Sequence, residues 1–376
     1  MSETHSTLDA DASLARSTAR SLEIEAAVEK DPSRFRILTG DRPTGNLHIG
    51  HYFGSLQNRV TLADKGVETM VLIADYQVIT DRDGVGPIRE RVYSLLTDYL
   101  AAGLDPEKVT IFTHSSVPGL NQLMLPFLSI VTDAELRRNP TVKSELDDTG
   151  DRPMSGLMLT YPVHQAADIL FCKANLVPVG KDQLPHLEQA RVIARRFDER
   201  YGHADAARPV FPEPEALLSK SGTILGLDGT KMSKSKGNTI ELGMTADETA
   251  KLIKRAVTDS NRHITYEPET RPEVSNLVNL AAMCLDRDPV AIAEEIGEDA
   301  FYGLFALVYF LVLEGPAAEA VATCVPDLGR SGKRRDPRSR PPRLHRPAHP
   351  RPVARRDAEC LERLGGSPRG VARQAL

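Results

Sequence analysis

The chain has 376 residues, of which 41% are hydrophobic, and a formal net charge of −5. This length gives room for two domains and a substantial core. Because the charge is mild, a nucleic-acid partner would have to meet a local basic surface and not the whole protein. Four cysteines (Cys172, Cys284, Cys324 and Cys360) show no zinc or disulfide spacing. Such usage is typical of a reducing cytosol, so we expect a cytoplasmic protein.

Two apolar features bear on location. The acidic N-terminus has no apolar segment of the kind that a signal peptide carries. The longest apolar run, Phe301–Leu313, is shorter than the roughly 20 residues that a membrane-spanning helix needs. The sequence therefore predicts neither a signal peptide nor a membrane protein.

The chain in order begins with a polar extension, 1–34, in which a helix is predicted over Ser17–Lys30. Short apolar runs then alternate with helical periods up to about Tyr201. Strands are predicted at Phe35–Thr39, Thr69–Ala74, Val109–Thr113 and Val177–Val179, and helices at 47–62, 86–102, 119–130, 160–173 and 183–200. This alternation predicts an α/β fold, a Rossmann-like doubly wound parallel sheet covered on both faces. Ligands of such sheets bind beyond the carboxyl ends of the strands. Residues 137–152 are polar and punctuated by Pro and Gly, so an inserted loop is expected around 130–155.

The first predicted strand runs through a turn containing Pro and Gly into a helix that carries His48-Ile49-Gly50-His51. Backbone N–H groups and the positive end of the helix dipole make such a helix start a phosphate site. His48 and His51 are expected on one helical face, where they can donate to a triphosphate. Gly50 removes a side chain where a flat base could lie against the backbone. A lone His-x-x-His is more often a plain surface pair, so this interpretation depends on a second element.

That second element is the segment Lys231-Met232-Ser233-Lys234-Ser235, between Gly229 and Gly237. Lysines among small residues and glycines predict a mobile cationic loop instead of a helix. Mobile lysines suit a reaction in which pyrophosphate leaves, because they can meet the charge as it develops.

Two further segments carry polar side chains in apolar surroundings. Tyr161, Gln165 and Asp168 stand at i, i+4 and i+7 and so lie on one face of a predicted helix. An unpaired carboxylate in the apolar run around Asp168 would be costly, so it needs a donor from the protein or from a substrate N–H. Downstream, Gly180-Lys181-Asp182-Gln183 follows a predicted strand, where ribose hydroxyls and an amino-acid head group could be bound.

The motifs together resemble the two signatures of class I aminoacyl-tRNA synthetases, His-Ile-Gly-His and Lys-Met-Ser-Lys-Ser, in the expected order. Residues 36–290 are similar to the bacterial tryptophanyl-tRNA synthetases at Gly40–Tyr52, Ala74–Tyr76, Thr160–Leu170, Val177–Glu188 and Leu225–Gly229. The resemblance implies that L-tryptophan is activated with ATP to tryptophanyl-adenylate plus pyrophosphate and is then transferred to tRNA(Trp). No protein nucleophile is needed, so catalysis would consist of positioning and charge stabilisation.

The resemblance also implies residue roles. His48, His51, Lys231 and Lys234 would act in catalysis, with Mg²⁺ bridging phosphate oxygens of the bound ATP. No metal ligands among the side chains are implied. The implied ATP site consists of Arg42, Pro43, Thr44, Gly50, His51, Gly180, Lys181, Asp182, Ile224, Lys231, Met232, Ser233, Lys234 and Ser235. The implied substrate pocket has Asp168 at the indole N–H, together with Tyr161, Gln165, Gln183 and Gln77.

Two positions depart from the family pattern: Gln165, where Met is frequent, and Gln77, where His is frequent. Tyr161, Gln165 and Asp168 also have the spacing of the tyrosyl enzymes, whose Gln holds the substrate ammonium. Tyrosine is therefore the alternative substrate, although the first motif and the Gly-x-Asp-Gln segment favour tryptophan. A further alternative is a paralogue that binds amino acid and nucleotide without charging tRNA.

The catalytic domain is thus predicted at 35–240. Helices predicted over Thr245–Val257 and within 273–296 belong to a C-terminal helical domain, 241–314, that by resemblance recognises the anticodon. We also expect a homodimer. Residues 315–376 form an Arg/Pro-rich tail, with ten Arg and six Pro against the single acid Asp336 between positions 330 and 356. This composition predicts disorder: either a basic tail that grips tRNA phosphates, or out-of-frame translation of a GC-rich gene.

Overall fold

The computed structural model describes residues 2–80, 86–143, 154–202, 209–218, 224–230, 232–233, 236–261 and 263–296, with the backbone alone at 2–15 and 246. Within these ranges the strands are β1 (Arg36–Asp41), β2 (Glu68–Ile73), β3 (Val109–Thr113), β4 (Leu176–Val179) and β5 (Glu215–Leu218). They form a sheet of order β3-β2-β1-β4-β5 in which every pairing is parallel. The prediction includes the first four strands. It omits β5, a four-residue strand that follows a Pro-rich segment and so offers little pattern.

The helices surround this sheet. In chain order they are α1 (Ser2–Lys30), α2 (Ile49–His51, continued by a π-helical turn Tyr52–Leu56 and by Gln57–Asp64), α3 (Ile88–Ala101), α4 (Pro118–Gln122), α5 (Met124–Leu128), α6 (Asp133–Arg138), α7 (Gly156–Phe171), α8 (Leu184–Tyr201), α9 (Ala246–Ile253), α10 (Pro272–Leu285) and α11 (Pro289–Ile296). Among the described residues, none of these helices is both long and apolar enough to cross a membrane.

Strand β2 shows how the sheet is covered. Val71 and Ile73 pack on one face with α2, α3 and the helices after residue 245, whereas Leu72 packs on the other face with α7 and α8. Successive side chains of a strand point to opposite faces, and a sheet with helices on both faces has apolar residues at every position. The predicted doubly wound α/β fold is confirmed. The helices α9, α10 and α11 lie where a C-terminal helical domain is predicted.

Several predicted helix limits are wrong, for identifiable reasons. The helix predicted over 119–130 is two helices, since Pro126 cannot donate to the carbonyl of residue 122, where α4 ends. The helix predicted from 160 begins at Gly156 and continues through Pro162, because Ser155 caps its start and ten of its residues are buried. The helical periods predicted within 273–296 form two helices, which are separated at Asp286, whose φ of 52° is left-handed.

Two predicted irregular segments contain helix. In the region expected to be a loop, Thr132 and Glu135 form a capping box that starts α6, while 144–153 lie outside the described residues. In the N-terminal extension the helix begins at Ser2 and not at Ser17, and its last turns are not merely polar. Ile24 and Val28 are each 2% exposed and pack with Ile37 and Leu217.

Helix α1 also caps the edge of the sheet. The Ser21 hydroxyl accepts from the Leu218 backbone N–H at 2.9 Å and donates to the Ala216 carbonyl at 3.4 Å. Arg20 makes a two-pronged ion pair with Glu215 at the start of β5. The N-terminal helix therefore satisfies two backbone groups on the outer edge of β5.

Candidate active site

The candidate site lies in the crevice between β1 and β4. Connections leave β1 and β4 toward opposite sides of the sheet, and such a switch point is where α/β sheets bind ligands. A cavity of about 410 Å³ opens there, lined by both strands and by the residues that follow them. The predicted site residues on its wall are Arg42, Gln77, Tyr161, Gln165, Asp168, Gly180 and Gln183.

The predicted substrate residues of α7 do share one face, and all three line the cavity. Gln165 Nε2 donates to Gln183 Oε1 at 3.2 Å, and Gln183 Nε2 donates to Asp182 Oδ2 at 2.8 Å. These bonds join α7 to the turn after β4. Lys181 and Asp182 are exposed and lie outside the cavity lining. A Cβ on Gly180 would lie 2.6 Å from Asp182 Oδ1, so a side chain at this position would displace the carboxylate of the exposed Asp182.

Tyr161 is held by a buried histidine that the sequence analysis places on a covering helix. This residue is His186, which lines the cavity and whose Nε2 lies 3.2 Å from the Tyr161 hydroxyl oxygen. Its Nδ1 faces the amide nitrogen of Asn139 at 3.4 Å, and that amide is oriented by Thr141, whose N–H donates to Asn139 Oδ1. Burial lowers the pKa of His186 to about 4. His186 is therefore neutral and donates from Nε2 to the Tyr161 oxygen.

Asp168 receives its hydrogen bond from the protein. It is 6% exposed, and its Oδ1 lies 2.9 Å from Nε2 of the fully buried His114. His164, one turn before Asp168 on α7, lies against His114 with a centroid distance of 4.5 Å. The ligand atoms of His114, His164 and Asp168 lie within 4.8 Å of one another. However, both ring nitrogens of His164 and Nε2 of His114 are engaged in hydrogen bonds. Neither histidine was predicted as a site residue: His164 stands beside apolar residues of α7, whereas His114 lies among Thr113, Ser115 and Ser116 and gives no local signal.

The histidine motif follows β1. The prediction places His48 inside the helix, but His48 has extended backbone and is the N-cap residue of α2. The rings of His48 and His51 nevertheless meet, with centroids 3.7 Å apart. His51 Nδ1 accepts from the His48 backbone N–H at 3.2 Å, so a neutral His51 carries its proton on Nε2. Pro43 is buried, Thr44 is half-buried and Arg42 is exposed at the strand end.

The lysine loop is anchored beside this motif. Lys231, Lys234 and Ser235 lie outside the described residues, whereas Met232 and Ser233 are described. Met232 is 7% exposed, and its sulfur would lie 3.1 Å from a Cβ added to Gly50. Backbone bonds join the two segments further, from Ile49 N to Ile240 O and from Leu242 N to Leu47 O, both at 2.9 Å.

The frame of the loop is a set of polar contacts around Asn238. Its Nδ2 donates to Asp228 Oδ1 at 2.7 Å, and its Oδ1 accepts from Ser233 N at 2.8 Å. Asn276 of α10 donates to the carbonyl of Gly226 at 3.1 Å. Ile224, predicted at the ATP site, is buried just before this frame. Among the described residues, those that precede and follow the lysine segment are thus joined by polar contacts.

An ion pair missed by the sequence analysis lies under the end of β1. Asp41 Oδ2 lies 2.5 Å from Nη1 of the buried Arg59 and accepts from the Tyr99 hydroxyl at 2.6 Å. Burial alone would raise the pKa of Asp41, but Arg59 and Tyr99 hold it at about 2. The pair ties β1 to α2 and α3 directly before Arg42. Nothing in the local pattern shows that two residues 18 positions apart meet.

A parallel sheet whose first strand leads into His-Ile-Gly-His, with a Lys-Met-Ser loop anchored beside it, defines the nucleotide site of class I aminoacyl-tRNA synthetases. Residues 30–304 match the family model of tRNA synthetases class I (W and Y). The chain belongs to this family.

Relatives within the family are tryptophan enzymes. The tryptophan–tRNA ligase of Clostridium longisporum is 46% identical over 239 residues, which cover 62% of this chain and 68% of the relative. That of Streptococcus pyogenes serotype M1 is 47% identical over 238 residues, covering 61% and 68%. The crystal structure of tryptophanyl-tRNA synthetase from Campylobacter jejuni, complexed with ADP and tryptophan, is 26% identical with a TM-score of 0.70, covering 90% of this chain and 97% of that one. The predicted family is confirmed.

Proposed function

We propose that this protein is a tryptophan–tRNA ligase. It activates L-tryptophan with ATP to tryptophanyl-adenylate and pyrophosphate, and it transfers the tryptophanyl group to tRNA(Trp). The observation that carries this proposal is the cavity between β1 and β4, where the buried carboxylate of Asp168 shares one space with Arg42 and Gly180. A ring N–H and a nucleotide could therefore be bound side by side.

Tryptophan is favoured over tyrosine by the relatives at 46% and 47% identity, which are tryptophan enzymes. The buried acceptor Asp168 would take the indole N–H, while Tyr161, Gln165, Gln183 and Gln77 line the rest of the substrate pocket. A phenol can also donate to a carboxylate, so a direct comparison of the two amino acids is part of the test below.

Activation is an in-line displacement. A tryptophan carboxylate oxygen bonds to the ATP α-phosphorus while the bond to the bridging oxygen breaks, and pyrophosphate leaves with that electron pair. ATP enters as its Mg²⁺ complex, in which the ion bridges phosphate oxygens. Arg42, Thr44 and the Nε2–H of His51 would contact the phosphates. Lys231 and Lys234, assigned through the resemblance, would meet the charge that develops on the leaving group.

The proposal extends to the other parts of the chain. Residues 35–240 would form the catalytic domain, and 241–314 would bind tRNA. A cytoplasmic location would fit this role, because ribosomes there consume charged tRNA. Tyr76, Ile79 and Leu125 are exposed by 45%, 50% and 75%, and large exposed apolar side chains support a homodimer interface.

The decisive experiment measures tryptophan- and tyrosine-dependent ATP–pyrophosphate exchange for the wild type and for Asp168→Asn. His114 donates to the residue at 168, so an asparagine there turns its oxygen to His114 and presents its NH₂ to the indole N–H. We expect kcat/KM for tryptophan to fall by roughly a hundredfold or more. The matched control is Asp133→Asn, an exposed carboxylate on α6 paired with Arg137, which should leave exchange unchanged.

Two results would contradict the proposal: faster exchange with tyrosine than with tryptophan in the wild type, or unchanged tryptophan exchange in Asp168→Asn. Transfer is tested separately by charging tRNA(Trp) with the full chain and with a chain ending at residue 314. A lower tRNA affinity and a flatter salt dependence on truncation would mark 315–376 as a phosphate-binding tail. Equal charging by the two chains would contradict that role for the tail.

A further inference from the structure

We propose that His114 is the positioning residue of the substrate pocket. Its Nε2–H fixes the carboxylate of Asp168 so that the remaining oxygen is presented to a ring N–H. This inference rests on the proposed function, because it takes Asp168 to bind the indole nitrogen. It adds a specificity-determining residue that makes no contact with the substrate itself.

The direction of the hydrogen bond follows from the two groups. An ionised carboxylate only accepts hydrogen bonds, so Nε2 of His114, 2.9 Å from Asp168 Oδ1, is the donor. Nδ1 of His114 is buried without a hydrogen-bond partner among the described residues, 3.8 Å from Asp75 Oδ1. Whether Nδ1 is protonated or not, Nε2 keeps its proton. His114 is therefore a donor to Asp168 in both charge states.

The ring of His114 has little freedom to turn. The residue is fully buried directly after β3, and its ring lies between those of Tyr76 and His164, at centroid distances of 5.8 and 4.5 Å. Asp75, which follows β2, accepts from the Ser115 N–H at 3.3 Å and so ties the neighbouring turn. The donor thus stands at the end of β3, and the turn that follows it is tied to the end of the neighbouring strand β2.

His164 and Gln77, which lie beside His114 and Asp168, are oriented by a series of hydrogen bonds that starts at the backbone. Asn121 Nδ2 donates to the carbonyls of His114 and Val117 at 3.2 and 3.3 Å, so its Oδ1 faces His164 as an acceptor. His164 must then carry its proton on Nε2, 2.8 Å away. Burial lowers the pKa of His164, so Nδ1 remains an acceptor for Gln77 Nε2.

The consequence is a fixed pattern of donors and acceptors facing the cavity. Gln77 Nε2 donates to His164 Nδ1, while Gln77 Oε1 accepts from the Thr80 hydroxyl at 2.6 Å. Asp168 Oδ1 accepts from His114 Nε2. A carboxylate free to rotate would offer either oxygen in many directions, whereas the bond to His114 restricts the rotation of this one and leaves Oδ2 as the oxygen without that donor. Pre-orientation of this kind lowers the ordering cost of binding.

The test compares tryptophan with 3-(benzothiophen-3-yl)alanine, which has the same shape but lacks the ring N–H. Exchange kinetics are measured for the wild type, His114→Leu, His114→Asn and His114→Gln. Leu removes the donor, Asn keeps an amide too short to reach Asp168, and Gln can place Nε2–H near the lost donor. Circular dichroism and the KM for ATP report on folding and on the nucleotide site.

We expect His114→Leu and His114→Asn to reduce the preference for tryptophan over the analogue by roughly ten- to a hundredfold, the range for a hydrogen bond to a charged group. The KM for ATP should stay unchanged, and His114→Gln should restore most of the preference. A merely structural role would slow both substrates equally and would not be rescued by Gln.

The outcomes separate the two proposals. If the wild type does not prefer tryptophan to the analogue, the assignment of Asp168 to the indole N–H is wrong. If the wild type prefers tryptophan and His114→Asn keeps that preference, only the positioning role of His114 is overturned. His114→Asn and His114→Gln keep the test decisive should the leucine variant not fold.

Discussion

Asp41→Asn should lower the unfolding free energy by about 3 kcal/mol or more, because it leaves the guanidinium of Arg59 buried without a counter-charge. Arg59 is 3% exposed, and Asp41 is its carboxylate partner, with contacts of 2.5 and 3.2 Å. Asparagine keeps the shape of the carboxylate and the bond to the Tyr99 hydroxyl. Its NH₂ group would then face Nη2 of Arg59, donor against donor, so the loss reports on the missing charge and its hydrogen bond and not on packing.

The same pair predicts a pH dependence. Folding lowers the pKa of Asp41 from its ordinary 3.8 to about 2. A carboxylate with a depressed folded-state pKa contributes stability above its unfolded pKa and loses it as the pH falls through the folded value. The wild type should therefore lose roughly 2 kcal/mol between about pH 5 and pH 2 at this residue. Asp41→Asn should lack this component.

The assay is urea unfolding of the full chain at neutral pH and at steps down to pH 2. Asp64→Asn, which removes an exposed carboxylate paired with Lys108, is the matched control and should cost less than about 1 kcal/mol. The double variant Asp41→Asn/Arg59→Met should be more stable than the sum of the single effects predicts. Additive losses, or an acid profile unchanged by Asp41→Asn, would refute the buried-charge argument.

Three more predictions concern the motifs and the N-terminal helix. Lys234→Ala should slow adenylate formation strongly with little change in the ATP dissociation constant, since a cation that meets the charge developing on pyrophosphate stabilises the transition state more than the ground state; stopped-flow kinetics and equilibrium ATP binding check this, and weaker binding with unchanged turnover would contradict it. Gly50→Ala should lower kcat/KM for ATP roughly tenfold, because its Cβ would lie 3.1 Å from the Met232 sulfur; unchanged exchange kinetics would show that the loop yields. Ser21→Ala should cost about 1–3 kcal/mol of unfolding free energy, because the Leu218 N–H loses its acceptor, and urea unfolding against Thr61→Ser measures this.

The sequence by itself determined the fold class and the place of the site. Alternating apolar strands and amphipathic helices are local properties, so periodicity sufficed for β1 to β4 and for most of the helices that cover them. The two signature motifs and the segment from Tyr161 to Asp168 are also local. The cavity walls at Arg42, Asp168 and Gly180 could therefore be predicted residue by residue.

Only the tertiary structure decided which groups serve those residues. His114 and His186 come from different elements, and each reaches a side chain that lines the cavity, through a contact across 54 or 25 positions of chain. The Arg59 partner of Asp41 and the docking of Met232 on Gly50 are likewise contacts between distant segments. Side-chain period reveals which face a residue occupies, but a hydrogen-bond partner depends on how two elements pack. The donors that orient this site are therefore set by how distant elements pack, and a local sequence pattern does not predict them.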